Sequence, residues 1–295
     1  MYLPDVELHE AASLDDASAL LSRYAPDARL LAGGTDVLVD LKTGRLNVHH
    51  VITLGGINQL RGMMSSNDGL RIGAMTTIGE LEHSSFLKGG YVILHDASSR
   101  MAALQVRNVA TVGGNIAGAV PCSDLPPALM VLKTRLEIWS PGGKRTMPLE
   151  ELLLGPRETS LQSDEILISI LVPPPPPPEC FGAAYERFAL REGNAIAVAS
   201  VAAGVEFESD MTVREARLVL GAVAPMPRLV ESVDKLLAGR RLDESALSAA
   251  ANVAMEAAEP ISDIRGSAQY RRELVGILTK RALLKAARRV EGGGA

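Results

Sequence analysis

In the first half of the chain, short apolar runs alternate with glycine-rich turns. Residues 29–32, 50–54, 70–74, 136–139 and 165–171 each fit a short β-strand bounded by turn formers. Helical spacing interrupts them twice. Ser13 stands where an N-cap belongs, Asp16 follows three residues on, and Leu20, Leu21 and Tyr24 share one face before Pro26 ends the helix. A second helix is predicted over about 91–105, running directly into the most glycine-dense loop of the chain. The pattern is α+β.

The run Pro173 to Pro178 can continue neither a helix nor a central strand, so it reads as a domain boundary. We divide the chain into residues 1–175 and 180–290. Beyond the prolines, 195–207 and 212–223 are predicted as long strands paired in a hairpin across Glu208, Ser209 and Asp210. Asp243 then caps an Ala-rich helix that Pro260 stops. A last helix places Tyr270, Leu274, Ile277, Leu278 and Leu284 at helical spacing with Arg and Lys on the remaining faces, and Gly292 to Gly294 form a fraying tail. The sequence carries no internal repeat.

Composition narrows the function. Among 295 residues, 30 Lys and Arg face 35 Asp and Glu, a formal charge of −5, with no basic stripe to neutralise phosphates; nucleic acid is not an expected partner. Apolar residues make up 47% but aromatics only 3%, so the core must be built from Ala, Val, Leu and Ile. The longest nearly all-apolar run, 195–205, is about half of the ~20 residues a bilayer span needs, so no membrane span is expected. Two cysteines, Cys122 and Cys180, are too few for an iron–sulfur cluster or structural zinc. The beginning MYLPDVELHE lacks a basic segment followed by an apolar core. Free thiols and a cytoplasmic location are the expectation.

Two loops carry candidate chemistry. Leu30, Leu31, Ala32, Gly33, Gly34, Thr35, Asp36 and Val37 lead a strand into a double glycine with a hydroxyl and a carboxylate. Thr111, Val112, Gly113, Gly114 and Asn115 repeat the theme, followed by Pro121 and Asp124. Consecutive glycines let backbone N–H groups converge on an anion, and two such loops fit the two phosphates of a dinucleotide. Either pair taken alone reads more simply as a tight turn. There is no G-x-x-x-x-G-K-[ST], since Lys144 is followed by Arg145, and no G-x-G-x-x-G. Asp124 is either a turn-capping carboxylate or an acceptor for a ribose diol. His9, His49, His50, His83 and His95 show no metal-ligand spacing, and no nucleophile elbow occurs. Neither a catalytic side chain nor a metal site is expected.

The segments AGGTD at 32–36, QVRNVATVGGNIAGAVPCSDLPPAL at 105–129, DEILISILVP at 164–173 and GSAQYRRELVGILTKRAL at 266–283 resemble the FAD-binding medium subunits of the molybdenum hydroxylases, in the same order and over nearly the whole chain. The resemblance implies a vanillyl-alcohol-oxidase (PCMH)-type FAD-binding domain in two lobes, followed by a C-terminal antiparallel sheet and helix domain. It implies that Leu30 to Val37 wrap the FAD pyrophosphate and that Thr111, Gly113, Gly114 and Asn115 make further phosphate contacts. Asp124 then meets the adenosine ribose, Leu167 packs beside the cofactor, and Arg187 stands where many relatives have a cofactor-contacting Lys. Ala195 replaces an Asp common in relatives, so that carboxylate is missing here. The implied partners are a large molybdenum-cofactor subunit and a small subunit with two [2Fe–2S] clusters, in a heterotrimer. Electrons would pass from those clusters through FAD to an external acceptor. The extra cysteine-bearing insertion of 4-hydroxybenzoyl-CoA reductase has no counterpart between Asn115 and Leu136.

Two other readings stand beside this one. A stand-alone FAD oxidoreductase of the same fold would need a larger substrate domain than 182–295 provides. A scaffold that has lost FAD would have no need of Thr35, Thr111 and Asp124 around its glycines.

Overall fold

The computed structural model describes residues 2–291; the expected fraying of Gly292 to Gly294 lies outside the described residues. The chain begins β1 (Glu7–Glu10), α1 (Leu14–Tyr24), β2 (Ala28–Leu31), α2 (Val37–Thr43) and β3 (His50–Thr53). It continues through β4 (Met63–Ser66), β5 (Gly69–Gly73), α3 (Ile78–Glu82), α4 (Val92–Ser99), α5 (Leu104–Arg107), α6 (Val112–Ala117) and α7 (Leu125–Val131). Next come β6 (Arg135–Ser140), β7 (Gly143–Pro148), α8 (Leu149–Leu152), β8 (Leu153–Gly155), β9 (Glu158–Thr159) and β10 (Ile166–Val172). Past the prolines lie β11 (Phe181–Ala189), β12 (Ala197–Phe207), β13 (Val213–Gly221), β14 (Arg228–Leu229), α9 (Ser232–Leu237), α10 (Glu244–Ala257) and α11 (Ala268–Glu291).

Among the described residues the N-terminal part holds two principal sheets and a two-stranded ribbon of β8 and β9. A small parallel one has the order β1-β3-β2, and a larger antiparallel one the order β4-β5-β10-β6-β7. Ser13 caps α1 by accepting from the Asp16 N–H at 3.1 Å, which fixes the helix against β3 and β10 through Leu14, Ala17 and Leu21. The C-terminal part is an antiparallel sheet of order β11-β12-β13-β14 with α9 and α11 laid on one face and α10 packed on those two helices. Gly182 permits this, because a Cβ there would lie 1.9 Å from the Ala286 carbonyl oxygen.

β12 explains its own unbroken apolar run. Val198, Val201, Ala203 and Val205 pack with Leu274, Val275 and Leu278 of α11, while Ala202, with Ala183, Tyr185 and Val219 of its sheet, joins a core that includes Leu125 and Leu129 of α7. A strand covered on both faces has no position at which to expose a polar residue. Arg289 on α11 adds a charged tie between the two parts: it donates to Asp96 on α4 at 2.7 Å, and Lys285 reaches the same carboxylate at 3.2 Å.

Two expectations need correction, and a third, the hairpin, is borne out and extended. The helix placed at about 91–105 is broken after Ser99, because Ala102 adopts a left-handed φ of 46° and its carbonyl accepts from the Asn194 N–H at 2.9 Å. A contact from a distant loop outweighs local helix propensity there. In α11, Ile277 is exposed and Arg271 is 2% exposed, the reverse of the expected faces. Arg271 is tolerated inside because it donates to the Val198 carbonyl at 2.8 Å and to Asp263 at 2.7 Å. Finally, β11 extends the predicted hairpin as a third long strand.

Candidate cofactor cleft

A cleft of about 380 Å³ opens between the two N-terminal sheets. The first glycine loop forms one wall. Gly34 takes a φ of 74°, which turns the chain from β2 toward α2 and exposes successive backbone N–H groups. The N–H groups of Gly33, Gly34, Thr35, Asp36 and Val37 find no acceptor among the described residues, although all five residues line the cleft. Consecutive free donors of this kind form an anion-binding nest. Arg29 also lines the cleft and makes no ion pair among the described residues. Burial raises the Asp36 carboxyl above its usual range, with Asp40 adding to the rise while Arg157 and Arg45 oppose it.

The second loop contributes differently. Its N–H groups are spent on anchoring: Val112 donates to Thr76 at 2.9 Å, Gly113 to Ala74 at 2.8 Å and Gly114 to the Thr111 hydroxyl at 3.1 Å. It is therefore no second nest, contrary to the simple expectation of two equivalent phosphate loops. What it offers is a flat glycine surface and the Asn115 amide, whose Oδ1 is buried without a hydrogen-bond partner. The two loops touch. A Cβ on Gly33 would sit 1.9 Å from the Val109 carbonyl oxygen, just ahead of the second loop, so only glycine allows this approach.

The sequence-derived candidates fall into three groups. Leu30, Ala32, Gly33, Gly34, Thr35, Asp36, Val37, Thr111, Gly113, Gly114, Asn115 and Leu167 all line the cleft. Leu31 does not; its side chain packs with Leu41, Val48 and Val51 in a separate cluster. Asp124 and Arg187 stand together outside the cleft walls. Asp124 is buried and accepts from the Tyr185 hydroxyl at 2.6 Å, with Arg187 Nε 3.4 Å from the same oxygen. Burial pushes its carboxyl up to about 6, against the pull of Arg187 and Tyr185. Arg187 also donates to the carbonyls of Arg100 and, at 2.6 Å, Ala195, bracing the chain around the broken helix.

Among the wall residues that sequence reasoning missed are Arg29, Met75, Gln162 and Ser163. Alternation along β2 was the only signal for Arg29; the others are placed by packing of distant segments. No helix of the described residues is long and apolar enough to cross a membrane.

Comparison with known proteins agrees with this geometry. A family model for the FAD binding domain in molybdopterin dehydrogenase matches residues 4–175, and one for the CO dehydrogenase flavoprotein C-terminal domain matches 183–286. The carbon monoxide dehydrogenase medium chain of Hydrogenophaga pseudoflava is 34% identical over 283 residues, 96% of this chain and 97% of that one. The xanthine dehydrogenase FAD-binding subunit of Escherichia coli O157:H7 is 34% identical over 279 residues, 94% of each. A solved structure of carbon monoxide dehydrogenase from Hydrogenophaga pseudoflava superposes with a TM-score of 0.93 at 33% identity, covering 98% of this chain and 99% of that one.

The chain belongs to the FAD-binding medium subunits of the molybdenum hydroxylases, a family of oxidoreductases. Its fold is the PCMH-type FAD domain in two lobes followed by an antiparallel sheet with helices. The residues present fit the cofactor: the free N–H groups of 33–37 suit a pyrophosphate, and the orphaned Asn115 Oδ1 awaits a donor.

Proposed function

We propose that this chain is the electron-transfer subunit of a heterotrimeric molybdenum hydroxylase, passing electrons between the [2Fe–2S] clusters of a small partner subunit and an external acceptor. In this reading residues 1–175 hold FAD and 180–290 form the C-terminal unit. A large partner subunit carries the molybdenum cofactor and the organic substrate. The complex is cytoplasmic, which its two free thiols, Cys122 and Cys180, fit.

The observation that carries the reading is the run of free N–H donors at 33–37 in a cleft that Asn115 also lines. FAD, when bound, supplies the ability to take and give electrons singly or in pairs. The protein supplies position. Gly33 to Val37 hold the pyrophosphate, Leu167 gives an apolar contact, and Thr111 shapes the second loop as the N-cap of α6. Asp124 has a second carboxylate oxygen that makes no hydrogen bond among the described residues, and we assign it to the ribose. Arg187 holds that carboxylate from behind. No side chain of this chain acts on the organic substrate.

The test is purification of the complex from its source. Two further subunits, one with molybdenum and one with iron, and a flavin on this chain that bleaches on adding the complex's substrate, are the expected result. A purified chain that gains no flavin spectrum with FAD would sink the reading. Flavin reduction by a small organic substrate in the isolated chain would replace it with a stand-alone enzyme.

A further inference from the structure

We propose that Glu7, His9 and His50 form a binding site for a divalent transition-metal ion of the zinc type, separate from the flavin cleft. The three lie on adjacent strands of the parallel sheet. Glu7 and His9 are two residues apart on β1 and so share a face, and Glu7 pairs in register with His50 on β3. Parallel pairing across more than forty positions of sequence makes a ligand set that spacing along the chain does not show.

The geometry is close to what such an ion needs. His9 Nε2 and His50 Nδ1 lie 3.0 Å apart. The Glu7 carboxylate oxygens lie 3.9 Å from the first and 3.5 Å from the second. Metal–nitrogen bonds of about 2.0–2.1 Å in a tetrahedral site put two nitrogens roughly 3.3 Å apart, so the pair has only a few tenths of an ångström to open. Glu7 is exposed and free to swing in, and water completes the fourth position.

The imidazoles are also held for the task. The Tyr24 ring at the end of α1 stacks on His50 with centroids 3.8 Å apart and on His9 at 4.8 Å. Both histidine side chains are largely buried, at 13% and 20% exposure. Without metal, the two facing nitrogens share a single proton. With metal, the donor ring carries its proton on its other nitrogen instead, so both facing lone pairs point to one ion. Two imidazoles with one carboxylate suit zinc, with copper as the tighter competitor. Among the described residues no other group of three such side chains converges, and none of these three lines the flavin cleft.

The bound ion would tie the edge strand β1 to β3. Equilibrium dialysis of the full chain against zinc, followed by elemental analysis, tests the proposal. One zinc per chain is expected, with affinity falling at least about tenfold in Glu7→Gln and further in His9→Gln and His50→Gln. His83→Gln is expected to bind as the parent does. Cobalt(II) is expected to give the intense visible bands of a four-coordinate ion, and these vanish in both histidine variants. Circular dichroism confirms that the variants fold. Zinc binding absent from the parent, or unchanged in folded His9→Gln and His50→Gln, overturns the site. Flavin content is read in the same samples, so failure here is distinct from failure of the flavin assignment.

Discussion

The hydroxyl of Tyr185 donates to Asp124 at 2.6 Å, joining the first strand of the C-terminal sheet to the start of α7 in the flavin domain. Tyr185 has no exposed surface and Asp124 almost none. Burial raises the Tyr185 phenol well above its usual range, with the adjacent carboxylate adding to it, so the hydroxyl remains a donor. Tyr185→Phe leaves the carboxylate short of a donor and is expected to cost about 1–3 kcal/mol. Urea unfolding measures it; an unchanged midpoint would remove this bond from the account of how the two parts are joined.

Asp124 gives a pH signature. Its folded value of about 6 lies above the 3.8 of an ordinary Asp, so between about 4 and 6 the folded state holds a proton that the unfolded state has released. Stability therefore falls as pH rises through that window and levels off above it. At about 1.36 kcal/mol per unit, the loss is on the order of 3 kcal/mol. Asp124→Asn is expected to abolish this fall, so the variant gains on the parent as pH rises from about 4 to 7. A stability difference that is flat with pH would contradict the assignment.

Asp96 works in the opposite sense. Burial raises its carboxyl, but the hydrogen bond from Arg289 and the charges of Arg289 and Lys285 outweigh that and hold it below the usual range. Its contribution is present above about pH 4 and is lost on acidification. Asp96→Ala strands Arg289 and is expected to cost about 3 kcal/mol near neutrality, read by denaturant unfolding. The loss should vanish at low pH, and a loss independent of pH would point to packing instead.

Asn115 separates the empty cleft from the filled one. Its buried, unpartnered Oδ1 does nothing for the flavin-free protein, so Asn115→Ala is expected to leave flavin-free stability unchanged or raise it by up to about 1 kcal/mol. FAD affinity is expected to drop roughly tenfold, the equivalent of one hydrogen bond. Fluorescence titration with FAD checks the second half. Unchanged affinity would mean the amide faces no part of the cofactor.

Gly33→Ala places a methyl 1.9 Å from the Val109 carbonyl oxygen, and backbone on both sides must move. Such overpacking costs about 1–3 kcal/mol and spreads the two loops. Loss of flavin from a folded protein is the expected outcome, while Gly44→Ala, whose added methyl meets nothing within 4 Å, is expected to keep its flavin despite a strained φ of 72°. Equal flavin content in both variants would argue against contact between the loops as a requirement for binding.

Much of the cleft was legible before any fold was known. The double glycines at 33–34 and 113–114 mark close backbone approach, and their neighbours Thr35, Thr111 and Asn115 belong to the same cleft. The difference between the loops was not legible. Both read as nests, yet the N–H groups of Val112 and Gly113 are consumed by Thr76 and Ala74, which come from a separate turn. Hydrogen-bond partners across space leave no trace in local spacing.

The sequence alone determined the class of elements and the motifs that mark this family, because glycine, proline and apolar periodicity act through local sterics. Tertiary structure decided which groups stayed free. It closed Leu31 and Arg271 into cores, set Asp124 between Tyr185 and Arg187, and brought His9 beside His50. Those outcomes depend on burial and on partners from other strands and helices, and both are set only when the whole chain has packed.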